Sequence, residues 1–464
     1  MERPGRSAAG PRSLAMEKSS YVYDIDDRPP LKYTLVYGLQ WAIIMFPVLI
    51  IVTTLGSKAL QMDTAGETRF FQLTLMVSGI FTLVQSLWGH RYPLLDGPAT
   101  ALLLTFIVLS PFGIGAIQGG TILGGALLVG VVLVGQLQKV IALATPNVVG
   151  VILMLISFSM LPYITHTLIG SEGTQSTGDL LTFVVSLLLV VFMAALSHWL
   201  KGFWKTIVLV LGMCLGTLIF SLLGAAGWDR VFTAPWISVP SEWIPSRPHF
   251  YWPAVLACAS SYLAVVVNSL GSFNGIANLT DMTRLPRSIS RGIFFNGLGG
   301  ICCGLLGIVG TVSYSLSPGV VLANRVASRY TTACCGGLLL LAAFVPKLAM
   351  LLASVPSPVV GAVLCVAMGA QVGAGLAIIS KESIGSRDYY VVGLPLIVGT
   401  MVSFLPGPFI DAMPAGLRVF LGNGFVVGIT LVLLLEHVLM RKKQGIVMSR
   451  GTNPPGVSKR RSDG

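Results

Sequence analysis

Charged residues are scarce in this chain, and acids are the scarcer sign. Asp, Glu, Lys and Arg make up 10% of the 464 residues, with 18 acids against 30 Lys and Arg, whereas soluble proteins carry about 25% charged residues. A hydrophobic fraction of 54% and a mean hydropathy of +0.82 accompany this scarcity. These values exclude a soluble globular protein and predict a chain that crosses a membrane many times. The basic residues are scattered at the ends of apolar stretches rather than forming a stripe, so we predict no nucleic-acid partner.

Sequence patterns of enzymes and metal sites are absent as well. The seven cysteines all lie in apolar runs without CxxC or Cys/His spacing, which is typical of small core residues rather than metal ligands. No HExxH, no paired carboxylates within a span, no Ser/His/Asp set and no GxxxxGKS occurs. A membrane enzyme is therefore a poor fit, and we predict no catalytic residue, no cofactor and no metal.

Fourteen apolar stretches lie between two polar tails. Residues 1–31 lack the apolar run of a signal peptide and predict a disordered N-terminal tail, whereas residues 442–464 form a basic C-terminal tail. Lys and Arg are more frequent in one set of loops than in the other, which predicts that both termini are cytoplasmic. The predicted spans are 34–55, 69–88, 97–110 (short), 119–137, 148–164, 180–200, 204–226, 252–271, 292–309, 318–327 (short), 331–352, 359–379, 389–404 and 417–440.

Two short sequence pairs indicate an internal duplication. Tyr92-Pro-Leu-Leu-Asp-Gly97 matches Tyr314-Ser-Leu-Ser-Pro-Gly319 in the spacing of Tyr and Gly, and Asn147-Val-Val-Gly150 matches Pro358-Val-Val-Gly361. The matches follow in the same order along the chain. An odd number of spans in each half makes the two copies inverted, which is the arrangement that supports alternating access. We therefore predict an all-α polytopic membrane protein with 14 transmembrane spans as two inverted repeats of seven.

The stretch 310–330 interrupts the apolar pattern at membrane depth. Irregular backbone there is tolerated only where protein or a water-filled cavity satisfies its polar groups. We interpret 312–317 as extended chain and Pro318 as the first turn of a half-helix, whose N-terminus points into the membrane centre. Such a broken helix is typical of a substrate site in a secondary transporter. The alternative is a loop between two ordinary helices.

Polar side chains within spans usually face a cavity or a partner. Gln40 lies in the middle of the first span, where it either meets a planar heterocycle or makes a bond between helices. Asn268 and Ser272, with Asn274 as a possible third, follow at helical spacing in the eighth span. Asp96 precedes the short third span, where it binds a coupling ion, caps the half-helix, or does both.

Four segments carry a resemblance to a known family: Gly319-Val-Val-Leu-Ala-Asn324-Arg325-Val326-Ala327-Ser328-Arg329, Gly38-Leu-Gln40-Trp41, Asn268-Ser-Leu-Gly271, and Arg291-Gly292 with Asn296-Gly297-Leu298-Gly299. With them the chain resembles, over about residues 31–441, the nucleobase–ascorbate transporters, also called the nucleobase:cation symporter-2 or xanthine/uracil permease family. The resemblance implies short strands before the half-helices of spans 3 and 10 that meet at the site. It implies substrates such as uracil, xanthine, uric acid or another purine, with ascorbate in animals, and coupling to H⁺ or Na⁺.

The family's domain organisation is also implied. A core domain comprises 32–137 and 252–352, a gate domain comprises 138–227 and 353–441, and an interfacial loop covers 228–251. Family members commonly form homodimers through the gate domain and move substrate by an elevator-like motion of the core. For this chain the resemblance therefore implies a homodimer embedded in membrane lipid.

Five positions depart from the family pattern. The acid of the eighth span is Asn268, the residue that opens the signature is Leu316, the signature Asn is Ser317, its Thr is Asn324, and Trp41 replaces the His after Gln40. Asn268 can pair with an amide edge but cannot take up a proton near neutral pH. Coupling therefore moves to another group, with Asp96 as the first candidate, or is absent.

We accordingly expect a permease of the bacterial inner membrane that carries a nucleobase-like heterocycle between the half-helix N-termini and the eighth span. Phe273 either walls this cavity or packs in the core. Two alternatives stay open: an anion carrier or channel of the same 7+7 architecture, since helix N-termini bind anions, and a transport-inactive relative. The predicted substrate-binding residues are Gln40, Asp96, Gly97, Thr100, Asn268, Ser272, Ser315, Leu316 and Ser317.

Overall fold

Among the residues that the structure describes, helices predominate and two short strands interrupt them. The computed structural model describes residues 21–170, 178–224, 228–240, 242–381 and 383–441. The strands are β1 (Asp96–Pro98) and β2 (Thr311–Ser313). The first half of the chain contains the helices α1 (Leu31–Ala59), α2 (Thr64–Leu87), α3 (Thr100–Leu109), α4 (Ile114–Leu133), α5 (Leu137–Ala142), α6 (Pro146–Ser159), α7 (Leu161–Leu168), α8 (Leu180–Trp199), α9 (Phe203–Thr206), α10 (Val208–Leu222) and α11 (Asp229–Thr233).

The second half of the chain repeats this alternation of long and short helices. It also includes a π-helical turn, Leu435–Leu439. Its helices are α12 (Trp252–Leu279), α13 (Leu285–Leu306), α14 (Ser317–Asn324), α15 (Arg329–Ala342), α16 (Pro346–Ala353), α17 (Ser357–Ile379), α18 (Ser386–Ser403), α19 (Gly407–Asp411), α20 (Ala415–Leu421) and α21 (Gly424–Leu434).

The apolar helices identify an integral membrane protein. Within the described ranges, eight helices are long and apolar enough to cross a membrane, or nine if the bent pair α15 and α16 is one span. This number is lower than the fourteen predicted stretches because some of those stretches are broken and others form helices shorter than 18 residues, such as α3 and α10. The stretch 331–352 bends by 96° between α15 and α16, where Pro346 at the start of α16 cannot donate the hydrogen bond that would continue α15. The stretch 417–440 is divided among α20, α21 and the π-helical turn.

Helices of the first half pack against helices of the second half. The closest approach of α4 to α13 is at glycine: a Cβ added at Gly125 would lie 2.7 Å from the carbonyl oxygen of Gly297. The approach of α2 to α15 is alike, since a Cβ at Gly79 would lie 2.7 Å from the carbonyl oxygen of Gly336. The two halves are therefore interleaved, and the backbones themselves are in contact.

Gly125→Ala should destabilise the protein, whereas Gly130→Ala on the same helix should not. The new methyl group at 125 would also meet the backbone N of Ile301 at 2.9 Å, so α4 or α13 must shift at a cost of about 1–3 kcal/mol. At Gly130 a Cβ meets nothing within 4 Å, and alanine should gain up to about 1 kcal/mol of helix propensity. Thermal unfolding of the two purified variants checks this. Equal unfolding temperatures would contradict the close packing at Gly125.

Residues 21–30 form an N-terminal strap that lies against the folded chain. Tyr23 makes a parallel bridge with Val326, Ile25 is buried, and Asp26 makes an ion pair with Arg329 at 2.8 Å. The prediction of a disordered tail over 1–31 is therefore wrong for this part, while residues 1–20 lie outside the described ranges. The physical reason is that a polar segment becomes ordered when a neighbouring backbone and a buried cation offer it partners.

Asp26→Asn should lower stability at neutral pH but not in acid. Hydrogen bonds from Arg284 first, and then from Arg329, lower the pKa of Asp26 from 3.8 to about 2. A lowered pKa stabilises the fold above the unfolded value near 3.8, and this contribution is lost as the pH falls through about 2. Because the carboxylate is half exposed, we expect a loss of about 1 kcal/mol at pH 7.

The measurement for Asp26 is the unfolding temperature of both proteins between pH 7 and pH 2, with Asp24→Asn as the matched control. Asp24 is an exposed acid of the same strap. A difference between Asp26→Asn and the unmodified protein that persists unchanged to pH 2 would contradict the role of these ion pairs.

Candidate functional site

The two strands meet where the halves of the chain cross. They pair antiparallel, with Asp96 opposite Ser313 and Pro98 opposite Thr311, and every strand residue is buried. The predicted meeting of the segments 92–97 and 314–319 is therefore confirmed.

Two helices begin beside this strand pair. α3 starts directly after β1, and α14 starts at Ser317, one residue before the predicted Pro318. The N-cap positions are held by Ala99 and Leu316, and neither start has a side-chain cap. The first N–H groups of a helix have no partner within it and carry partial positive charge. Two such ends at one crossing favour a polar or anionic group between them.

The Asp96 carboxylate is fully buried and is bonded within the protein. Its Oδ1 accepts hydrogen bonds from the Ser313 hydroxyl at 2.6 Å and from Gln85 Nε2 at 3.3 Å. Its Oδ2 lies 3.0 Å from Nε2 of His90. The prediction that Asp96 caps the half-helix is therefore wrong: Ala99 is the N-cap, and the carboxylate is held by α2, β2 and the turn before β1.

A chain of amides and hydroxyls extends from Asp96 into α13 and α12. Gln85 Nε2 lies 2.8 Å from Asn296 Oδ1, and Asn296 donates to the Ser269 hydroxyl at 2.7 Å. These bonds join α2, β1, β2, α12 and α13 through buried polar groups. Since each broken bond would leave a buried group unpaired, these elements should move as one body.

Three predicted contact residues are buried in positions that hold the strands. The Ser272 hydroxyl donates to the carbonyl of Ser313 at 2.9 Å, and the Ser317 hydroxyl accepts from the backbone N–H of Leu95 at 3.2 Å. Gly97 is also enclosed, because a Cβ there would lie 2.6 Å from the hydroxyl of Tyr314. In this conformation Ser272, Ser317 and Gly97 support the site rather than face open space.

α12 and α14 lie side by side. A Cβ added at Gly275 would be 3.1 Å from Cγ of Pro318. Phe273 on the same turn of α12 is fully buried, with its ring centroid 5.5 Å from that of His90. A Cβ at Gly292 would lie 2.4 Å from its ring. Phe273 is therefore a core residue, not a wall of the cavity.

The open side of the crossing lies between α12 and the start of α14. Asn268 is half-buried, Ser315 is exposed and Leu316 is 38% exposed. A Cβ at Gly271 or at Gly319 would meet nothing within 4 Å, so the backbone of each helix borders open space. Asn268, Ser315 and Leu316 therefore lie beside open space.

Two further predicted residues have different surroundings. Thr100, the first residue of α3, is half-buried. Gln40 is 7% exposed, and its Nε2 has no hydrogen-bond partner among the described residues. An unpaired buried amide costs about 1–3 kcal/mol, which favours a role for Gln40 in binding over the alternative of a bond between helices.

His90 is the residue of this site that sequence reasoning missed. It lies in the turn between α2 and β1, is fully buried and contacts Asp96. The available signal was weak: one of five histidines, six residues before the one acid that enters the membrane. Only the fold of the turn brings the two side chains together.

A separate cavity of about 650 Å³ lies beyond the C-terminal ends of α1 and α3. Its lining includes Gln61, Ser110, and the ion pair of Arg69 with Glu242. None of the predicted site residues lines it, so the open face between α12 and α14 is the better candidate site.

Comparisons with known proteins find relatives over most of the chain. A family model described as a permease family, Xan_ur_permease, matches residues 32–407. The chain is 26% identical to the uric acid permease PucK of Bacillus subtilis (strain 168) over 415 residues, which cover 88% of this chain and 95% of that protein. It is 22% identical to the xanthine permease of the same organism, over 87% of this chain and 93% of that protein.

A solved structure shares the fold. The transmembrane domain of the cyanobacterial bicarbonate transporter BicA superposes with a TM-score of 0.55 at 14% identity, covering 89% of this chain and 98% of that one. At this identity the likeness establishes the fold alone. The overall arrangement of the helices described above is therefore shared with that structure.

Proposed function

Because the chain belongs to the xanthine/uracil permease family, we propose that this transporter carries a nucleobase, with uric acid or xanthine as the first candidates, by alternating access. The observation that carries the proposal is the meeting of two uncapped helix N-termini beside the open face of α12. The names of the uric acid and xanthine permeases that it resembles support a purine. The chain acts as a transporter and not as an enzyme.

The base lies between α12 and the start of α14 in this proposal. The Asn268 amide pairs with a donor and an acceptor on the edge of the base, as amides do with adenine, and Gln40 supplies a further donor. Thr100, Ser315 and Leu316 contribute backbone or side-chain contacts. Gly97, Ser272 and Ser317 hold the strands, and Asp96 is the coupling group for H⁺ or Na⁺.

The finer architecture is also proposed: 14 spans in two inverted repeats of seven, divided into the core and gate domains with the bounds given above. The antiparallel pairing of β1 with β2 supports it, since a two-fold axis in the membrane plane relates equivalent strands in this way. α1 and α12, with 29 and 28 residues, occupy equivalent places in the two halves. Both termini are cytoplasmic in this scheme, the membrane is the bacterial inner membrane, and a homodimer forms through the gate domain.

One alternative has its own support. The two uncapped helix N-termini, an uncharged Asn268 and the shared fold with a bicarbonate transporter fit an anion carrier. Removal of an acid from the binding face would also remove its repulsion of an anion.

The two functions separate in a paired experiment on the purified protein. Thermal-shift screening against uric acid, xanthine, uracil, ascorbate, bicarbonate and sulfate should show stabilisation by a purine. Uptake of that purine into proteoliposomes should then be blocked by an excess of the unlabelled base. Anion flux that continues unchanged in excess uracil or xanthine, without purine uptake, would reject the nucleobase proposal, and the absence of any flux would favour a transport-inactive relative.

A further inference from the structure

His90 and Asp96 form a side-chain pair that is closed off from solvent. Both side chains have 0% exposure, and His90 Nε2 lies 3.0 Å from Asp96 Oδ2. Asp96 is the first residue of β1, and α3 begins four residues later at Thr100. The protonation state of the pair therefore sets the charge of the element that presents one of the two helix N-termini.

The tautomer of His90 follows from its second contact. The backbone N–H of Tyr92 donates to His90 Nδ1 at 3.0 Å, so Nδ1 accepts and Nε2 must carry the proton that is donated to Asp96. Arg91 between them has φ +59°, an uncommon left-handed conformation for a residue other than glycine. This turn directs the Tyr92 N–H at the ring.

Counting lone pairs on Asp96 identifies where a proton can bind. A carboxylate accepts about four hydrogen bonds, two at each oxygen. Oδ1 receives Ser313 and Gln85, while Oδ2 receives His90 alone. One lone pair of Oδ2 therefore has no side-chain donor among the described residues.

We propose that Oδ2 of Asp96 binds the proton that couples transport, and that His90 is the positioning residue that holds this oxygen. In this step a proton from solvent forms an O–H bond at Oδ2, and the charge of the pair changes from −1 to 0. No other bond breaks. The inference rests on the proposed transport function and specifies its coupling group.

The donors around Asp96 favour a proton over a sodium ion. His90, Ser313 and Gln85 all direct hydrogens at the carboxylate, whereas a bound cation requires several oxygen lone pairs around it. A proton needs only the one remaining lone pair.

The other charged groups near the pair have their own partners. Arg329 of α15 donates to the carbonyls of Ser86 and Leu87 and is paired with Asp26. From the turn after α12, Asp281 is paired with Arg284. Within each of these ion pairs the positive and negative charges offset each other. The Asp96 carboxylate is therefore stabilised by its own hydrogen-bond donors rather than by these charges.

Four other ionisable side chains lie on the elements around the pair. On the β2 side, the Tyr314 hydroxyl donates to the carbonyl of Pro98. Tyr92 donates its hydroxyl to the carbonyl of Asp281. Arg91, in the turn itself, and Arg291 on α13 are exposed. A buried net charge that must move through the membrane is costly, so proton uptake at Asp96 would permit the core elements to move.

Infrared titration of the full-length protein in lipid nanodiscs tests this inference without any substrate. Because all 18 acids of the chain become carboxylic acids at low pH, the spectrum of Asp96→Asn is subtracted from that of the unmodified protein. The difference should contain a carboxylic-acid C=O band that grows as the pH falls. His90→Leu takes away a donor to the charged form, so the band should reach half-height at a proton concentration about 10- to 100-fold lower. His90→Gln, which retains an N–H donor, should restore most of the original profile. His249→Leu, at an exposed histidine, should change nothing.

A difference spectrum without this band, or equal midpoints of the band for His90→Leu and the unmodified protein, would overturn the inference. If His90→Leu does not fold, Ser313→Ala removes another donor from the same carboxylate and should shift the band in the same direction, and an unchanged midpoint would count against the inference. A protein that shows the band but carries no purine would refute the proposed substrate and leave the proton site intact. Purine uptake without a titrating band would support the proposed substrate and refute the proton site.

Discussion

Asn268→Ala should lower the affinity for the transported purine by about 10- to 100-fold while leaving the fold intact. Asn268 is half-buried on the open face of α12, beside the start of α14. Its amide offers a donor and an acceptor to the edge of a base, and a lost hydrogen-bonded pair leaves polar atoms of the base unpaired at about 1–3 kcal/mol. Isothermal titration with the purine found by thermal shift measures the change.

The matched control for this variant is Asn274→Ala on the same helix. The Asn274 amide already donates to the carbonyl of Leu270 at 2.8 Å, so its loss should alter affinity by no more than a few-fold. Equal affinities of Asn268→Ala and the unmodified protein would remove Asn268 from the site. An equal loss in both variants would indicate a general disturbance of α12 rather than a lost contact.

Asp96→Asn should abolish accumulation of substrate against its gradient. An amide cannot take up the coupling proton. In addition, the carboxylate of Asp96 accepts hydrogen bonds from Ser313, Gln85 and His90, whereas the NH₂ group of asparagine would point its own hydrogens at those donors. We therefore expect uptake to stop at equilibrium and the unfolding temperature to fall as well. Uptake of labelled purine into proteoliposomes with an imposed pH or sodium gradient measures the first effect.

Asp63→Asn is the control for the loss of an acid. Asp63 is the N-cap of α2 and accepts from the backbone N–H of Gly66, a role that asparagine fills equally well. It should accumulate substrate normally. If Asp96→Asn retained the pH and sodium dependence of the unmodified protein, Asp96 would be a structural residue and coupling would lie elsewhere.

The central feature of the fold was predictable because it depends on local chemistry that a sequence records. A run of Gly, Pro and small polar residues within an apolar stretch cannot form a continuous span, and its similarity to 92–97 predicted the partner. The structure pairs those two segments as β1 and β2. The positions of the helix breaks were less accurate, since apolar composition alone does not reveal a bend such as the one between α15 and α16.

The roles of individual side chains were harder to predict. Ser272 and Ser317 stood out as hydroxyls in apolar helices. A hydroxyl can also form a hydrogen bond with the backbone of a neighbouring segment, and both side chains do so. His90 gave almost no signal because its contact with Asp96 depends on the left-handed turn at Arg91. The order of the N-terminal strap likewise depends on distant partners, such as Arg329 for Asp26.

Protection of a single cysteine at the open face tests the central claim most directly. In a background where the exposed Cys214 and Cys302 are alanine, Leu316→Cys should react with a thiol reagent, and a saturating purine should slow that reaction at least about tenfold. Leu322→Cys, which is on the same half-helix and at a position 54% exposed, should react at the same rate with or without purine. Unchanged labelling of Leu316→Cys in the presence of a purine that the protein binds would contradict a substrate site at the crossing of the two interrupted spans.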